Sequence, residues 1–307
     1  MLQIGIIGLG DIANKAYLPV VSKHKVEVHL FTRSEATLKE VSDVYRFTNL
    51  HQSLDSLIKS GIRGAFVHTP TDSHNEIVEE LLQNNIHVYV DKPITYDYST
   101  SARLLNLAHR KNLTLMVGFN RRYAPPYLKA KELPDPNMVV IQKNRNAQSG
   151  NIRTFIFDDF IHVVDTLLFF FPYSIEKMVV SGKKVGDLLY HVVVQFVAAD
   201  GAMAIGIMNR DSGTTEEKVE VFSSTGKCVV DNIADVAVYQ GKKVTKFGID
   251  DWEPTLHRRG FDQITKAFLD VIQSGNDTRT IDTHTLQSHK ICEEIVEQLS
   301  SSSSSSI

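Results

Sequence analysis

The chain has 307 residues, of which 42% are hydrophobic and 22% charged, and its formal net charge is −3. This length allows one large domain or two ordinary ones, and the composition is that of an ordinary globular protein. No basic block indicates a nucleic-acid partner, and the longest apolar run, residues 167–172, is far below the roughly 20 residues that span a bilayer. The spacing of Cys228 and Cys292 predicts neither a disulfide framework nor a metal site. We therefore expect a cytoplasmic protein without membrane or nucleic-acid partners.

Residues 1–120 alternate strand-like and helix-like segments. Strands are predicted at residues 2–7, 26–31, 45–47, 64–68, 86–90 and 113–117. Helices are predicted between them, at residues 12–22, 35–44, 54–60, 73–84 and 98–111. Strands separated by helices indicate βαβ units, so we predict an α/β Rossmann domain with a doubly wound parallel sheet.

Beyond residue 120 the strand-like runs are longer and turn signals separate them, which is typical of an antiparallel sheet. The predicted strands are residues 138–143, 175–181, 188–198, 202–209, 218–223, 227–233 and 235–239. The predicted helices are residues 158–170, 261–274 and 285–299. We predict an α+β domain over residues 121–299 with an open, mostly antiparallel sheet, after a boundary where residues 123–126 interrupt regular structure. Residues 300–307 form a serine-rich tail that we expect to be flexible.

The turn after the first strand, residues 8–13, has the sequence GLGDIA. It fits the dinucleotide-binding pattern Gly-x-Gly-x-x-Ala, in which Gly8 permits the tight turn and Gly10 admits the pyrophosphate. Asp11 and Ile12 open the helix, whose N-terminal amide groups attract anions, and Ala13 allows close helix–strand packing. The alternative is a strand–helix turn without a ligand. Its position at the first strand of a βαβ series favours the cofactor site.

The end of the second strand bears on the choice of cofactor. NAD enzymes usually have an acidic residue there to bind the ribose 2′-hydroxyl. This chain instead has Thr32, Arg33 and Ser34, and a guanidinium flanked by hydroxyls suits the 2′-phosphate of NADP. The alternative is that Arg33 is a solvated loop residue and Glu35 binds the ribose. We therefore expect NADP in preference to NAD.

Three further segments carry a family resemblance: residues 69–74 (TPTDSH), 81–93 (LLQNNIHVYVDKP) and 118–123 (GFNRRY). With the glycine turn they resemble the Gfo/Idh/MocA family, the glucose–fructose oxidoreductase and inositol dehydrogenase group. That family has Glu/Asp-Lys-Pro after its fifth strand and a segment like Gly-Phe-x-Arg-Arg after its sixth. The resemblance covers the first 125 residues densely. It implies an NAD(P)-dependent dehydrogenase or reductase for small molecules, with a C-terminal sheet that can form a homodimer or homotetramer.

One predicted helix of the second domain also resembles this family, in its motif Asp-x-x-x-His-x-x-Asp. Asp158, His162 and Asp165 fit it, and at about 100° per residue they share one face of an α-helix. A carboxylate beside an imidazole can orient it for proton transfer near neutral pH. The resemblance implies that Asp158 and His162 are catalytic together with Lys92. The alternative is an acidic pair favoured by the helix dipole above a core histidine.

The resemblance also implies the role of each catalytic group. His162 would take the substrate hydroxyl proton, Lys92 would hydrogen-bond the same oxygen, and Asp158 would hold His162 or a second hydroxyl. Pro93 would fix the turn through a Lys92–Pro93 bond that we expect to be cis. Other implied cofactor contacts are Thr69, Pro70, His74, Asp91, Lys92, Pro93, Asn120 and Arg121. Alternatively, Lys92 is an exposed turn residue, His74 belongs to a polar helix start, and Arg121 joins the two domains.

The approach to His162 departs from the family pattern. Ile161 precedes the histidine where many relatives have glycine, and residues 151–157 contain no glycine. Bulky side chains there would narrow or reshape a substrate pocket. We expect a sugar, polyol or related hydroxy compound to be the substrate. The alternatives are a redox-assisted lyase or glycosidase that retains its cofactor and a non-catalytic NAD(P)-binding regulator.

Overall fold

The computed structural model of the protein describes residues 1–248, 250–274 and 279–301. The chain divides into two compact units. The first contains residues 1–119 and 261–286, and the second contains residues 120–260 and the chain from residue 287.

The first unit contains a six-stranded parallel sheet. Its strands are β1 (Leu2–Ile7), β2 (Val26–Phe31), β3 (Asn49–His51), β4 (Gly64–Val67), β5 (His87–Val90) and β6 (Leu115–Val117). They lie in the order β3-β2-β1-β4-β5-β6, the doubly wound Rossmann order, which confirms the predicted fold class. The predicted strand at residues 45–47 is wrong, because the preceding helix continues to Tyr45 and Arg46 ends it in a left-handed conformation (φ 59°).

Five α-helices connect these strands. They are α1 (Leu18–Val21), which continues a π-helical turn at Ala13–Tyr17, then α2 (Glu35–Tyr45), α3 (Leu54–Lys59), α4 (His74–Gln83) and α5 (Tyr98–Arg110). Side chains of Ser34, Ser53 and Asp97 accept backbone hydrogen bonds at the starts of α2, α3 and α5, which satisfies amide groups that the helices leave unpaired. The central strand β4 is buried along its whole length, as expected for a parallel sheet covered on both faces.

The second unit contains a nine-stranded sheet. Its strands are β7 (Met138–Asn144), β8 (Gly150–Asn151), β9 (Lys177–Val185), β10 (Leu188–Val197), β11 (Met203–Asn209), β12 (Glu216–Ser223), β13 (Gly226–Asp231), β14 (Asp235–Gln240) and β15 (Lys243–Phe247). The order is β15-β14-β13-β12-β7-β11-β10-β8, and β9 also pairs with β10. The β7–β11 pair is parallel, whereas the other pairs described are antiparallel. The predicted open, mostly antiparallel sheet is confirmed, and β8 and β15 are additions to it.

Four short helices belong to this unit: α6 (Pro125–Lys131), α7 (Ile152–Phe155), α8 (Ile161–Phe170) and α9 (Thr255–Arg258). The pair Pro125–Pro126 begins α6 rather than interrupting regular structure, since proline lacks only an N–H that the first helical turn leaves unpaired anyway. A π-helical turn at Ile156–Phe160 joins α7 to α8, so the helix predicted from residue 158 begins at residue 152.

The last two helices are α10 (Phe261–Ser274) and α11 (Arg279–Ser301). The sequence assigned α10 to the second domain, but it belongs to the first unit. Phe268 lies 5.0 Å from Phe66 between ring centroids, and Ile272 occupies the space beside Gly64, so the apolar face of α10 covers the parallel sheet. The predicted serine tail starts inside α11, while residues 302–307 lie outside the described part of the chain. Within that part, no helix combines the length and apolar character needed to cross a membrane.

Candidate active site

The glycine turn after β1 leaves open space where the family fingerprint expects a pyrophosphate. Gly8 has φ +83°, and a Cβ built on it would lie 2.8 Å from the backbone of His68 and Thr69, so glycine is required there. Its amide donates to the carbonyl of Phe31 (2.9 Å). A Cβ on Gly10 would meet no heavy atom within 4 Å. The turn is therefore held firmly on one side and open on the other, which fits a dinucleotide.

The residues that follow the turn begin the helix as predicted. Ala13 is fully buried and starts the π-helical turn Ala13–Tyr17. Asp11 forms an exposed ion pair with Lys15 (2.8 Å), and Ile12 is 40% exposed. The small side chain of Ala13 is therefore buried, whereas its two preceding neighbours are exposed.

The segment after β2 exposes the basic group predicted to select the cofactor. Arg33 is exposed and forms no hydrogen bond or ion pair within the described residues. The Ser34 hydroxyl accepts a hydrogen bond from the Thr37 amide (3.2 Å) and caps α2, while Thr32 is half-buried. Glu35 is also exposed, in the first turn of α2.

The loop after β5 carries Lys92, and the structure holds this loop from two sides. The Lys92–Pro93 bond is cis, which confirms the expectation from the sequence. Asp91, the preceding residue, has a carboxylate oxygen 2.8 Å from Nδ1 of His68. Lys92 itself is half-buried.

His74 secures the other side of this loop. Its side chain is 1% exposed, with Nδ1 lying 3.0 Å from the carbonyl oxygen of Pro93 and Nε2 lying 2.8 Å from that of Thr69. Both ring nitrogens thus contact backbone carbonyls, so His74 joins the loops after β4 and β5. Pro70 is exposed at the edge of the first of these loops.

A buried polar cluster beneath the loop was not predicted. The hydroxyls of Tyr17 and Tyr89 lie 2.7 Å apart, and the Tyr17 ring stacks on His68 with 4.0 Å between centroids. Burial raises the pKa of Tyr17 well above its usual value, and the neighbouring Tyr89 and the charge of Asp91 add to this effect. Gly118 lies against the cluster, since a Cβ there would be 3.3 Å from the Asp91 carboxylate.

In the second unit, Asn120 and Arg121 are buried in structural contacts. The Asn120 amide donates to the carbonyl oxygen of Arg259 (2.8 Å). Arg121 donates twice to Glu217 (2.7 Å each), and the Tyr127 hydroxyl donates to the same carboxylate (2.6 Å). Burial alone would raise the pKa of Glu217, but Arg121 holds it well below its usual range. The cofactor contacts inferred for Asn120 and Arg121 stay predictions.

The helix with the Asp-x-x-x-His-x-x-Asp motif separates its residues into two environments. Asp158 and His162 are half-buried, whereas Asp165 is 1% exposed. Arg122 donates to Asp165 over 2.5–3.1 Å, and the Ser288 hydroxyl donates to it over 3.0 Å. The predicted regular α-helix is interrupted, because the π-helical turn replaces i→i+4 bonding around Asp158. Asp165 therefore anchors the helix, and Asp158 and His162 remain the candidates for chemistry.

A buried lysine beside this helix was missed by the sequence reasoning. Lys143 is 2% exposed and pairs with Asp159, and Nε of Arg145 lies 3.5 Å from the same carboxylate. Burial, with the nearby Arg121, lowers the pKa of Lys143 to about 7. The signal was present in β7, where alternation places Lys143 on the same buried face as Val139 and Ile141. A lysine at such a position needs a charged partner.

Comparison with known proteins identifies the family. Residues 2–119 match the Gfo/Idh/MocA model, described as an oxidoreductase family with an NAD-binding Rossmann fold, and residues 125–241 match a YceM-like C-terminal domain. Over 303 residues the chain is 31% identical to YceM of Salmonella typhimurium, which is named as an oxidoreductase, with 95% of this chain and 96% of that protein covered. The chain belongs to the Gfo/Idh/MocA family.

Two further matches also extend over most of the chain. A crystal structure of a family oxidoreductase from Vibrio cholerae superposes with a TM-score of 0.90 at 30% identity, covering 98% of this chain and 100% of that one. Myo-inositol 2-dehydrogenase of Thermotoga maritima is 23% identical over 303 residues, 89% of each chain. The protein is thus an oxidoreductase of an NAD-binding family. Among its described residues, no three His, Cys, Asp or Glu side chains form a group that could hold a metal.

Proposed function

We propose that this protein is an NAD(P)-dependent dehydrogenase acting on a hydroxyl carbon of a sugar, polyol or related small molecule. The observation that carries the proposal is the anchored loop at Lys92. His68 contacts Asp91 on one side of it and His74 contacts the carbonyl of Pro93 on the other. A lysine whose backbone is fixed in this way can present its ammonium at a constant position, as catalysis by preorganised charge requires. The relative named as an inositol dehydrogenase supports a polyol-like substrate.

The first unit would hold the cofactor. Gly8 and Gly10 would face its pyrophosphate at the start of the helix, and the segment after β2 would bind its adenosine ribose. When bound, the nicotinamide supplies the hydride acceptor or donor. The open side of Gly10 is the structural support for this assignment.

The chain itself would manage the proton and the charge on the substrate oxygen. In oxidation, His162 accepts the hydroxyl proton and Lys92 donates a hydrogen bond to the same oxygen, stabilising its negative charge. Asp158 positions the imidazole or a second hydroxyl. In reduction, His162 returns the proton to that oxygen.

Removing the Lys92 ammonium tests this function. For Lys92→Ala we expect kcat to fall at least about 100-fold, the usual effect of losing a charge-stabilising donor, while NADP binds almost as before. The assay follows nicotinamide absorbance with NADP and NAD over a panel of polyols, sugars and uronates. Lys59→Ala is the control, because Lys59 is exposed and pairs with Asp55. Equal loss of cofactor binding and turnover would contradict the role of Lys92.

The same panel separates the other functions open to this fold. Binding of a cofactor without turnover of any panel compound would favour the redox-assisted lyase or the NAD(P)-binding regulator. The lyase would retain a nicotinamide through purification and show no net redox. A regulator would not need Lys92, Asp158 and His162 together.

We further propose that NADP is preferred over NAD, on the basis of the exposed Arg33. A charge-assisted hydrogen bond is worth about 1.5–3 kcal/mol, so Arg33→Ala should weaken NADP binding about 10- to 100-fold and leave NAD binding unchanged. Lys39→Ala, a change of an exposed cation on α2, is the control. Fluorescence titration of both cofactors measures the preference. An unchanged ratio of NADP to NAD affinity would contradict the role of Arg33 and favour Glu35 as the residue that binds the ribose.

A further inference from the structure

A polar cavity of about 260 Å³ lies within the second unit. Three cations and two acids line it, namely Lys143, Arg145, Arg259, Glu216 and Glu217. We propose that this cavity binds an anionic group of the substrate, a carboxylate or a phosphate. That this anion belongs to the substrate rests on the proposed function, whereas the presence of an anion site rests on the cavity itself. Its volume is below the usual 300–1,000 Å³ of a whole ligand pocket, so it suits one group of a small molecule.

The two acids of the cavity already have partners. Both oxygens of Glu217 accept hydrogen bonds from Arg121, and one of them also accepts from Tyr127. Glu216 accepts a hydrogen bond from the Asn144 amide over 2.8 Å. The charge of Glu217 is therefore balanced by Arg121, whereas Glu216 is exposed and hydrogen-bonded to an amide.

The cations of the cavity are less completely paired. Arg259 is half-buried and its guanidinium forms no hydrogen bond or ion pair with any described residue. Burial and the nearby Arg121 lower its pKa. Arg145 reaches Asp159 only at 3.5 Å, and Asp159 is shared with Lys143. Because a partly buried guanidinium without a partner is costly, an oxyanion that bridges Arg259 and the weakly paired Arg145 would be bound favourably.

The hairpin between β13 and β14 shapes one wall of the cavity. Asn232 and Ile233 both have positive φ (55° and 56°), and the Ala234 amide donates to the carbonyl of Asp231 (2.9 Å), as in a type I′ turn. A β-branched residue is rarely found in this conformation, yet Ile233 is 1% exposed and lines the cavity. The fold thus holds a strained turn at the cavity, as is frequent at binding sites.

Anion binding should depend on the protonation of Lys143. Burial, with the nearby Arg121 and Arg145, lowers its pKa to about 7, while Asp159 and Glu217 favour its charged form. A bound anion adds negative charge and raises that pKa. The affinity should therefore be greatest below pH 7 and fall as the free protein loses this proton at higher pH.

Calorimetric titration of the full chain without nicotinamide tests the site. The ligands are glucuronate, glucose 6-phosphate, inorganic phosphate and neutral glucose. We expect at least one of the three anions to bind at least tenfold more tightly than glucose. Comparing glucuronate with the two phosphate ligands shows whether the site prefers a carboxylate or a phosphate. Arg259→Gln and Arg145→Gln should each weaken anion binding at least tenfold, and Arg259→Lys should restore part of it. Lys183→Gln, which changes an exposed lysine of β9, should have no effect.

Two outcomes would overturn the proposal. The first is equal affinity for the anions and for glucose, and the second is anion binding that both arginine variants leave unchanged. For the pH arm, glucuronate is titrated from pH 6 to 8.5, where its carboxylate stays ionised. The affinity for glucuronate should decline above pH 7 in the native protein and stay constant in Lys143→Met. The same decline in both proteins would refute the role of Lys143 in anion binding. NADP binding and turnover of neutral polyols are measured separately, so failure of the anion site is distinguishable from failure of the proposed function.

Discussion

Replacing Asp165 by asparagine removes one charge from a buried ion pair while keeping the shape of the side chain. Asp165 is 1% exposed and accepts hydrogen bonds from Arg122 and Ser288, and the Arg122 side chain is 14% exposed. Losing one partner of a buried pair costs about 3–5 kcal/mol, chiefly because the other charge is left uncompensated. Since Arg122 retains some exposure, we expect about 3 kcal/mol, a factor of more than 100 in the unfolding equilibrium.

The loss can be measured by urea unfolding followed by circular dichroism, together with hydrogen exchange of the amides of α8. Asp55→Asn is the matched control, since its pair with Lys59 is also within hydrogen-bond distance (2.8 Å) but largely exposed. Such pairs contribute about 0.2–0.5 kcal/mol. Asp165→Leu combined with Arg122→Met should recover much of the stability, because it leaves no unpaired charge. A loss below about 1 kcal/mol for Asp165→Asn would show that the pair does not anchor the helix. That result would contradict the structural role assigned to Asp165.

Three other changes test separate parts of the structure. Gly8→Ala should lower the free energy of unfolding in urea by about 1–3 kcal/mol and weaken NADP binding, because φ is +83° and a Cβ would contact backbone atoms. Unchanged stability would contradict the tight turn. Glu217→Gln tests the pH dependence of stability. The pKa of Glu217 in the folded protein lies well below the value of about 4.3 in the unfolded chain. The stability that the Glu217 carboxylate contributes is therefore fully present above about pH 4.3 and is lost as the pH falls through the folded pKa. Urea unfolding at pH 7, 5 and 3 should show a steeper acid loss in the native protein than in the variant, and equal slopes would refute this. Tyr17→Phe should cost about 1 kcal/mol by removing the 2.7 Å contact with Tyr89, and a stabilised variant would argue against that hydrogen bond.

The sequence by itself was sufficient for features that depend on local backbone preferences. Apolar runs and helix periodicity predicted the parallel sheet, because each signal is contained in a short segment. The glycine turn at Gly8 and Gly10 likewise predicted a tight strand–helix turn, while the cofactor contacts there stay predictions. The cis bond at Pro93 followed from a motif of three residues. The family resemblance likewise depends on short motifs.

The tertiary structure decided which charged groups meet. Arg122 and Asp165 are 43 residues apart in the chain, and Arg121 and Glu217 are 96 apart, so only the order of the folded elements brings them together. The packing of α10 in the first unit cannot be predicted from a local sequence pattern. The same is true of the π-helical turn before α8. Lys143 is intermediate, since its position on a buried strand face was visible in the sequence but its partner Asp159 was not. Backbone conformation is determined largely by neighbouring residues, whereas the pairing of buried charges is determined by the fold as a whole.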